Sequence, residues 1–227
     1  MIRKILVIAP HADDEVLGCG GTIKKKASEG DEVYVLVMTN AHVGAPELFS
    51  EDLINCVRGE ALEAHSFLGV KQTVFFDFPA PALDQYPSYK MSSKIMEVLR
   101  EFSIDTVYLP HNGDIHKDHQ MVFDAGLVAC RPNVDRGVKR IYVYETLSET
   151  EWGIPRASSA FIPVLFETLS EDDFEFKLSA MKCFESQLKN FPASRSLETI
   201  EALAKVRGAT INTSRAEAFM IIREIQD

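Results

Sequence analysis

Short branched apolar runs alternate with stretches of helical periodicity along most of the chain. Ile5 to Ala9 has the length and branching of a buried strand. Gly-rich sequence follows and runs into Thr22-Ile23-Lys24-Lys25-Lys26-Ala27, an order that predicts a strand, a functional loop and a helix. Gly30-Asp31-Glu32 then makes a turn before a second branched run, Val33 to Met38. Over Glu51 to Phe67, the residues Leu53, Ile54, Val57, Ala61, Leu62 and Ala64 recur among charges, which predicts a helix with one apolar face that Gly69 closes.

Val74 to Phe76 predicts a short strand. Pro79, Pro81, Pro87 and Ser88 predict an irregular connection, a helix over 92–102 follows, and Ile104 to Leu109 is another buried strand. Strands are expected at 141–145 and 163–168 and helices at 172–188 and 196–206, while 216–225 fits neither pattern well. Such alternation predicts a Rossmann-like α/β three-layer sandwich, because right-handed crossovers lay strands into a mostly parallel sheet covered on both faces. Without repeats, low-complexity tracts or a flexible linker, residues 1–227 read as one domain with a C-terminal extension from about 170.

Composition narrows the functional classes. The 227 residues, 46% of them apolar, suffice for a sizeable core. With 24 Lys and Arg against 34 Asp and Glu, the formal net charge of -10 argues against nucleic acid as the main partner. Cys19, Cys56, Cys130 and Cys183 form no CxxC pair, so neither a disulfide framework nor cysteine-ligated zinc is expected. The apolar run before Pro10 is too short for a secretory signal, and no long uncharged apolar stretch follows. These features predict a cytoplasmic protein without an integral membrane segment, and leave homo-oligomer assembly open.

Two clusters carry the chemistry. Pro10-His11-Ala12-Asp13-Asp14-Glu15 directly follows the first predicted strand, where open α/β sheets commonly present their sites. Adjacent acids repel one another, and a divalent cation relieves that repulsion. Imidazole and carboxylate at His11 and Asp14 are ordinary zinc ligands if the chain turns sharply, which leaves Asp13 free to take a proton. Glu15 either supports the loop or favours the N-terminus of the next helix. Gly18-Cys19-Gly20-Gly21 offers a competing phosphate cradle, but neither GxGxxG nor GxxxxGK[ST] is present; close helix packing is the better reading of these glycines.

The second cluster, from His111 to His119, follows the 104–109 strand. His119 can supply a third ligand, leaving room for water as catalytic zinc requires. His116 is placed to protonate a leaving nitrogen or stabilise an oxyanion, and Asp118 to orient an imidazole. His111 and Asp114 are weaker candidates; either can cap the turn, and Asp114 can line a substrate pocket.

Ala9-Pro10-His11-Ala12-Asp13-Asp14-Glu15 with His116-Lys117-Asp118-His119 resembles the fingerprint of the LmbE-like, or PIG-L, family of metal-dependent N-acetylglucosaminyl deacetylases, which usually has proline where this chain has Ala12. The resemblance implies His11, Asp14 and His119 as ligands to zinc, with ferrous iron the alternative. It implies Asp13 as general base, His116 as oxyanion stabiliser or acid, and Asp118 as the residue that orients His116. Arg58-Gly59-Glu60 with Ala64 and Leu68-Gly69 is similar to a family helix whose arginine faces substrate, and further similarity extends over 177–187 and 216–219. Thr39-Asn40-Ala41-His42-Val43-Gly44 departs from the usual Thr-x-Gly, so the substrate loop is expected to differ, with His42 facing either substrate or solvent. The implied substrate is a small or nucleotide-linked N-acetylamino sugar. The alternatives are a metal-dependent hydrolase of another amide or ester, and a sugar-nucleotide-binding protein.

Overall fold

The computed structural model describes residues 2–132 and 137–226. Its strands are β1 (Lys4–Ala9), β2 (Glu32–Asn40), β3 (Gln72–Pro79), β4 (Thr106–Pro110), β5 (Arg140–Tyr144), β6 (Leu165–Thr168) and β7 (Ala216–Glu224). The helices are α1 (Asp14–Ser28), α2 (Ala41–Gly44), α3 (Glu51–Leu68), α4 (Ser88–Glu101), α5 (Lys117–Ala129), α6 (Glu171–Cys183) and α7 (Leu197–Thr210). All seven strands join one sheet in the order β3-β2-β1-β4-β5-β7-β6. The first five pair in parallel, and β7 runs antiparallel to both β5 and β6.

Two cores follow from the period of two in the central strands. Ile5, Val7 and Ala9 of β1 and Val33, Val35 and Val37 of β2 pack towards α1, α3, α6 and α7. Leu6, Ile8, Leu36 and Met38 face the other way, towards α4 and α5. Strands buried on both faces read as continuous apolar runs, which is why β1, β2 and β4 stand out in the sequence. The fold is the expected three-layer α/β sandwich. Among the described residues, no helix is long and apolar enough to cross a membrane.

Several elements depart from the sequence pattern. α1 begins at Asp14, so Gly18, Gly20 and Gly21 lie inside a helix and not in a loop. A Cβ on Gly18 would collide with the Tyr144 ring, and one on Gly21 with Leu169. These glycines therefore let α1 approach its neighbours, and they offer no phosphate cradle. α5 was not anticipated, because its first turn is the second polar cluster; Val122, Phe123, Ala125 and Ala129 nevertheless form its buried face. α6 ends at Cys183, short of the expected 188. The equivocal 216–225 segment becomes β7, and so the stretch from about 170 supplies an interior strand of the sheet.

β7 is tied to α1 by a buried ion pair. Lys177 Nζ lies 2.6 Å from Glu217 Oε1, and both side chains are 5% exposed. Glu217 accepts from the backbone N–H of Gly21 and Thr22 at 2.9 and 2.7 Å, while Lys177 donates to the Leu17 carbonyl at 2.8 Å. The side chains thus take up polar groups in mid-helix, where the ladder ordinarily pairs them with one another. Removing one partner leaves the other as an uncompensated buried charge. Glu217→Gln is accordingly expected to cost about 3–5 kcal/mol of stability, read as a lowered midpoint in urea unfolding with an unchanged slope.

Candidate active site

β1 and β4 are adjacent, with β2 and β5 on their outer sides, so the loops leaving their carboxyl ends meet at the point where strand order reverses. The first loop is tightly held. Thr39 Oγ1 donates to the Pro10 carbonyl at 2.8 Å. Asp13, the residue before α1, sits at φ 120° and ψ -29°, a region that favours glycine. Its N–H donates to Glu15 Oε2 at 3.2 Å, and its carbonyl accepts from Val16 and Leu17 at 3.0 and 2.9 Å. Glu15 is buried, and its other oxygen accepts from His65 Nε2 at 2.9 Å. Glu15 therefore supports the loop from inside, and the turn sends the two preceding carboxylates in different directions.

Asp14 Oδ2 lies 3.3 Å from His11 Nδ1 and 3.2 Å from His119 Nε2. Ligand atoms of His11, Asp14 and His119 all fall within 4.8 Å of one another, so the predicted triad comes together. A second grouping, His11, His116 and Asp118, meets the same distance limit. The hydrogen bonds favour the first. His119 Nδ1 donates to Asp114 Oδ2 at 2.8 Å, and His11 Nε2 to Asp118 Oδ2 at 3.2 Å, so each imidazole is oriented through one nitrogen and presents the other to Asp14. Metal-binding histidines are held in this way. Asp14 Oδ1 and His119 Nε2 are buried without a hydrogen-bond partner, as groups awaiting a cation would be.

Electrostatics agree with that fit. Burial pushes the imidazolium of His119 down, but Asp14 and Asp114 outweigh it and bring the group to about 10. His11 is likewise lowered by burial and lifted by Asp118 and Asp14, to about 9. Burial would raise Asp14, yet the two imidazoles hold it well below the usual carboxylate range. The carboxylates thus demand positive charge here, which a divalent ion can supply in place of protons.

Asp13 diverges from the triad towards Arg195, whose Nη1 stands 3.0 Å from Oδ2. Burial drives the Asp13 carboxyl up to about 8 against the pull of that guanidinium. His116 packs edge-on to His11 with ring centroids 4.8 Å apart, and its Nδ1 accepts from the Asp118 N–H at 3.1 Å. Burial and the His11 charge push His116 down to about 4. In its neutral form, Nε2 carries the proton.

A cavity of about 250 Å3 opens beside this cluster. Its lining includes His11, Asp13, His116 and Arg58, with an apolar wall from Phe49, Leu53, Val57 and Pro81. Arg58 donates to Asp77 Oδ1 at 2.7 Å and to the Phe76 carbonyl at 2.8 Å.

Three assignments need correction. Asp114 does not line the pocket; it is fully buried behind His119, with Thr150 Oγ1 donating to its other oxygen at 2.6 Å. The Asp118 side chain orients His11 and not His116, since its second oxygen is taken by the Leu83 N–H at 3.2 Å. His42 lies outside the lining, its Nδ1 donating to the Phe49 carbonyl at 2.9 Å. His111 has a structural role, donating to the Ser159 carbonyl at 3.0 Å. Glu149, Gln187 and Arg195 line the cavity and were not anticipated as site residues; Gln187 ends the 177–187 stretch similar to the family, while Glu149 and Arg195 come from loops that carry no motif.

Residues 6–130 match the PIG-L family, GlcNAc-PI de-N-acetylase. The chain belongs to this family. It is 30% identical to the uncharacterized deacetylase YaiS of Escherichia coli strain K12 over 189 residues, covering 81% of this chain and 91% of that one. It is also 30% identical to diacetylchitobiose deacetylase of Thermococcus kodakarensis over 146 residues, 60% of this chain and 53% of that one. The structure of N,N'-diacetylchitobiose deacetylase from Pyrococcus horikoshii has the same fold, with a TM-score of 0.78 at 24% identity, covering 97% of this chain and 84% of that one. This PIG-L protein is a metal-dependent deacetylase-type hydrolase, with a His/Asp cluster able to hold a divalent ion.

The geometry ranks substitutions by their effect on metal retention. Alanine at His11, Asp14 or His119 should abolish tight binding, measured by mass-spectrometric metal analysis of folded protein. Asp114→Asn should weaken affinity by about 10–100-fold, because it acts on the orientation of His119. Undiminished metal in all three alanine variants would exclude the ligand set.

Proposed function

We propose that this PIG-L protein hydrolyses the acetamido group of a small or nucleotide-linked N-acetylamino sugar to acetate and the free amine. The observation that carries the reading is the divergence of two adjacent carboxylates: Asp14 joins two imidazoles, while Asp13 turns towards the cavity. His11, Asp14 and His119 would hold zinc, with ferrous iron as the alternative. Bound there, the ion supplies Lewis acidity that activates water and polarises the acyl carbonyl.

Asp13 takes a proton as water oxygen bonds to the acetyl carbon, and returns one to the nitrogen as the C–N bond breaks. His116 suits the oxyanion better than the leaving nitrogen. Its Nδ1 is occupied by the Asp118 N–H, so the neutral ring donates from Nε2 without losing a proton. Arg58 contributes to substrate binding from the cavity wall, fixed by Asp77. Similarity to the diacetylchitobiose deacetylase of Thermococcus kodakarensis supports an acetamido sugar as the substrate class. Hydrolysis of a different amide or an ester uses the same groups, and acetate release from a panel of N-acetylated sugars separates these readings.

Asp13→Asn preserves size but removes the base, and should lower kcat by about 10²–10⁴-fold with metal content retained. A folded, fully metallated Asp13→Asn protein with wild-type single-turnover hydrolysis would remove Asp13 from this role. Arg58→Ala should chiefly raise KM and leave metal content unchanged; unaltered kinetics on the identified sugar would take Arg58 out of the pocket.

A further inference from the structure

We propose that Arg195 is a positioning residue for the base, holding the Asp13 carboxylate on the cavity side of the metal ligands. This rests on the reading of Asp13 as base. Nothing in the two polar motifs points to Arg195, which enters the site from the 184–196 connection between α6 and α7. Its backbone is clamped on both sides. Its carbonyl accepts from the Lys189 N–H at 2.9 Å, and the next residue, Ser196, is buried and caps α7 through the Thr199 N–H at 3.2 Å.

The guanidinium reaches four groups at once. Nε donates to Ser148 Oγ at 2.8 Å and Nη1 to Gln187 Oε1 at 3.2 Å. Nη1 also stands 3.0 Å from Asp13 Oδ2, and Nη2 3.6 Å from Glu149 Oε1. Only a planar fork meets partners on several sides from one side chain; a lysine would reach one or two of them. The side chain is 23% exposed, so it forms cavity wall and is not sealed in the core.

Asp13 needs such a partner. It is 1% exposed, sits in a backbone conformation that favours glycine, and is followed directly by the buried carboxylates Asp14 and Glu15. The contact to Arg195 is its one ion pair among the described residues. Oδ2 makes no conventional hydrogen bond, so charge attraction holds the carboxylate in place and leaves it free to exchange a proton. Glu149 meets the other terminal nitrogen of the guanidinium, so the two ends of the fork hold separate carboxylates. Neutralising or shortening Arg195 would let the base leave its working position without touching the ligands.

The test compares wild type, Arg195→Gln, Arg195→Lys, Asp13→Asn and the Asp13→Asn/Arg195→Gln double variant, each zinc-loaded and checked for metal content and thermal unfolding. Arg195→Gln should lower kcat by about 10²-fold, the scale of a misplacement near 1 Å, with KM within about twofold of wild type on the same scale of argument. Arg195→Lys should recover part of that loss. Because Arg195 acts through Asp13, adding Arg195→Gln to Asp13→Asn should produce no further fall. Crystal structures of zinc-loaded Arg195→Gln and Arg195→Lys should show the Asp13 carboxylate displaced with His11, Asp14 and His119 in place.

The assignment is overturned by wild-type kcat in Arg195→Gln, by raised KM with unchanged kcat, or by an equal additional loss in the Asp13→Asn background. An Asp13 carboxylate that superimposes on wild type in the variant structures overturns it as well. Should Arg195→Gln fail to fold, Arg195→Lys carries the same comparison. Wild-type protein that releases no acetate from any acetamido sugar sinks the sugar deacetylase reading, and the crystallographic arm still decides the role of Arg195.

Discussion

The five carboxylates of the two polar motifs, Asp13, Asp14, Glu15, Asp114 and Asp118, are buried at one end of the sheet, and the whole site is arranged around compensating their charge. Each has a different answer. Glu15 takes an N–H from His65, Asp114 one from His119, and Asp118 one from His11. Asp13 faces Arg195. Asp14 alone lies between two imidazoles that are already oriented from behind by other acids. A divalent ion placed there takes over the charge that the two imidazoles otherwise supply by holding protons, so the metal site follows from the charge balance as much as from ligand identity.

That balance requires neighbouring residues to point apart, and the backbone bears the cost. A non-glycine residue at φ 120° is strained by an amount on the order of 1–3 kcal/mol, and Asp13 is held there by Glu15 behind it and by the first turn of α1 ahead. Glycine would fit the turn better but brings no carboxylate. In the proposed reaction the turn places an acid at a position whose backbone geometry favours glycine.

His11, Asp13, Asp14 and His119 were legible because each cluster directly follows a strong apolar run, and parallel strands deliver their carboxyl ends to one edge of the sheet. Their supporting partners were less so. Asp114 is polar and close to the motif, yet the turn over 111–116 carries it behind His119, and no local pattern distinguishes that from facing the cavity. Asp118 is two residues from His116 but its side chain meets His11, a pairing across 107 positions. Arg195 and Glu149 come from connections whose sequence marks no element, and their importance appears only once the chain has closed on itself. The fold shows the same division. Strands buried on both faces were plain, while β7 was equivocal: its first half pairs with β6 and is buried, and its second half pairs with β5 and is largely exposed.

The position of β7 also makes the last third of the chain part of the site's construction. Glu217 at its start joins mid-α1 to Lys177 of α6, so the helix that opens with Asp14 and the helix that leads to Arg195 are anchored on the same buried pair. Asp13 precedes one of those helices, and Arg195 lies near the far end of the 184–196 connection that follows the other. The separation of the Asp13 carboxylate and the guanidinium is thus tied to two elements referenced to one strand, and a packed core transmits small displacements between them. The geometry beside the cavity accordingly depends on an ion pair that touches none of His11, Asp14 and His119.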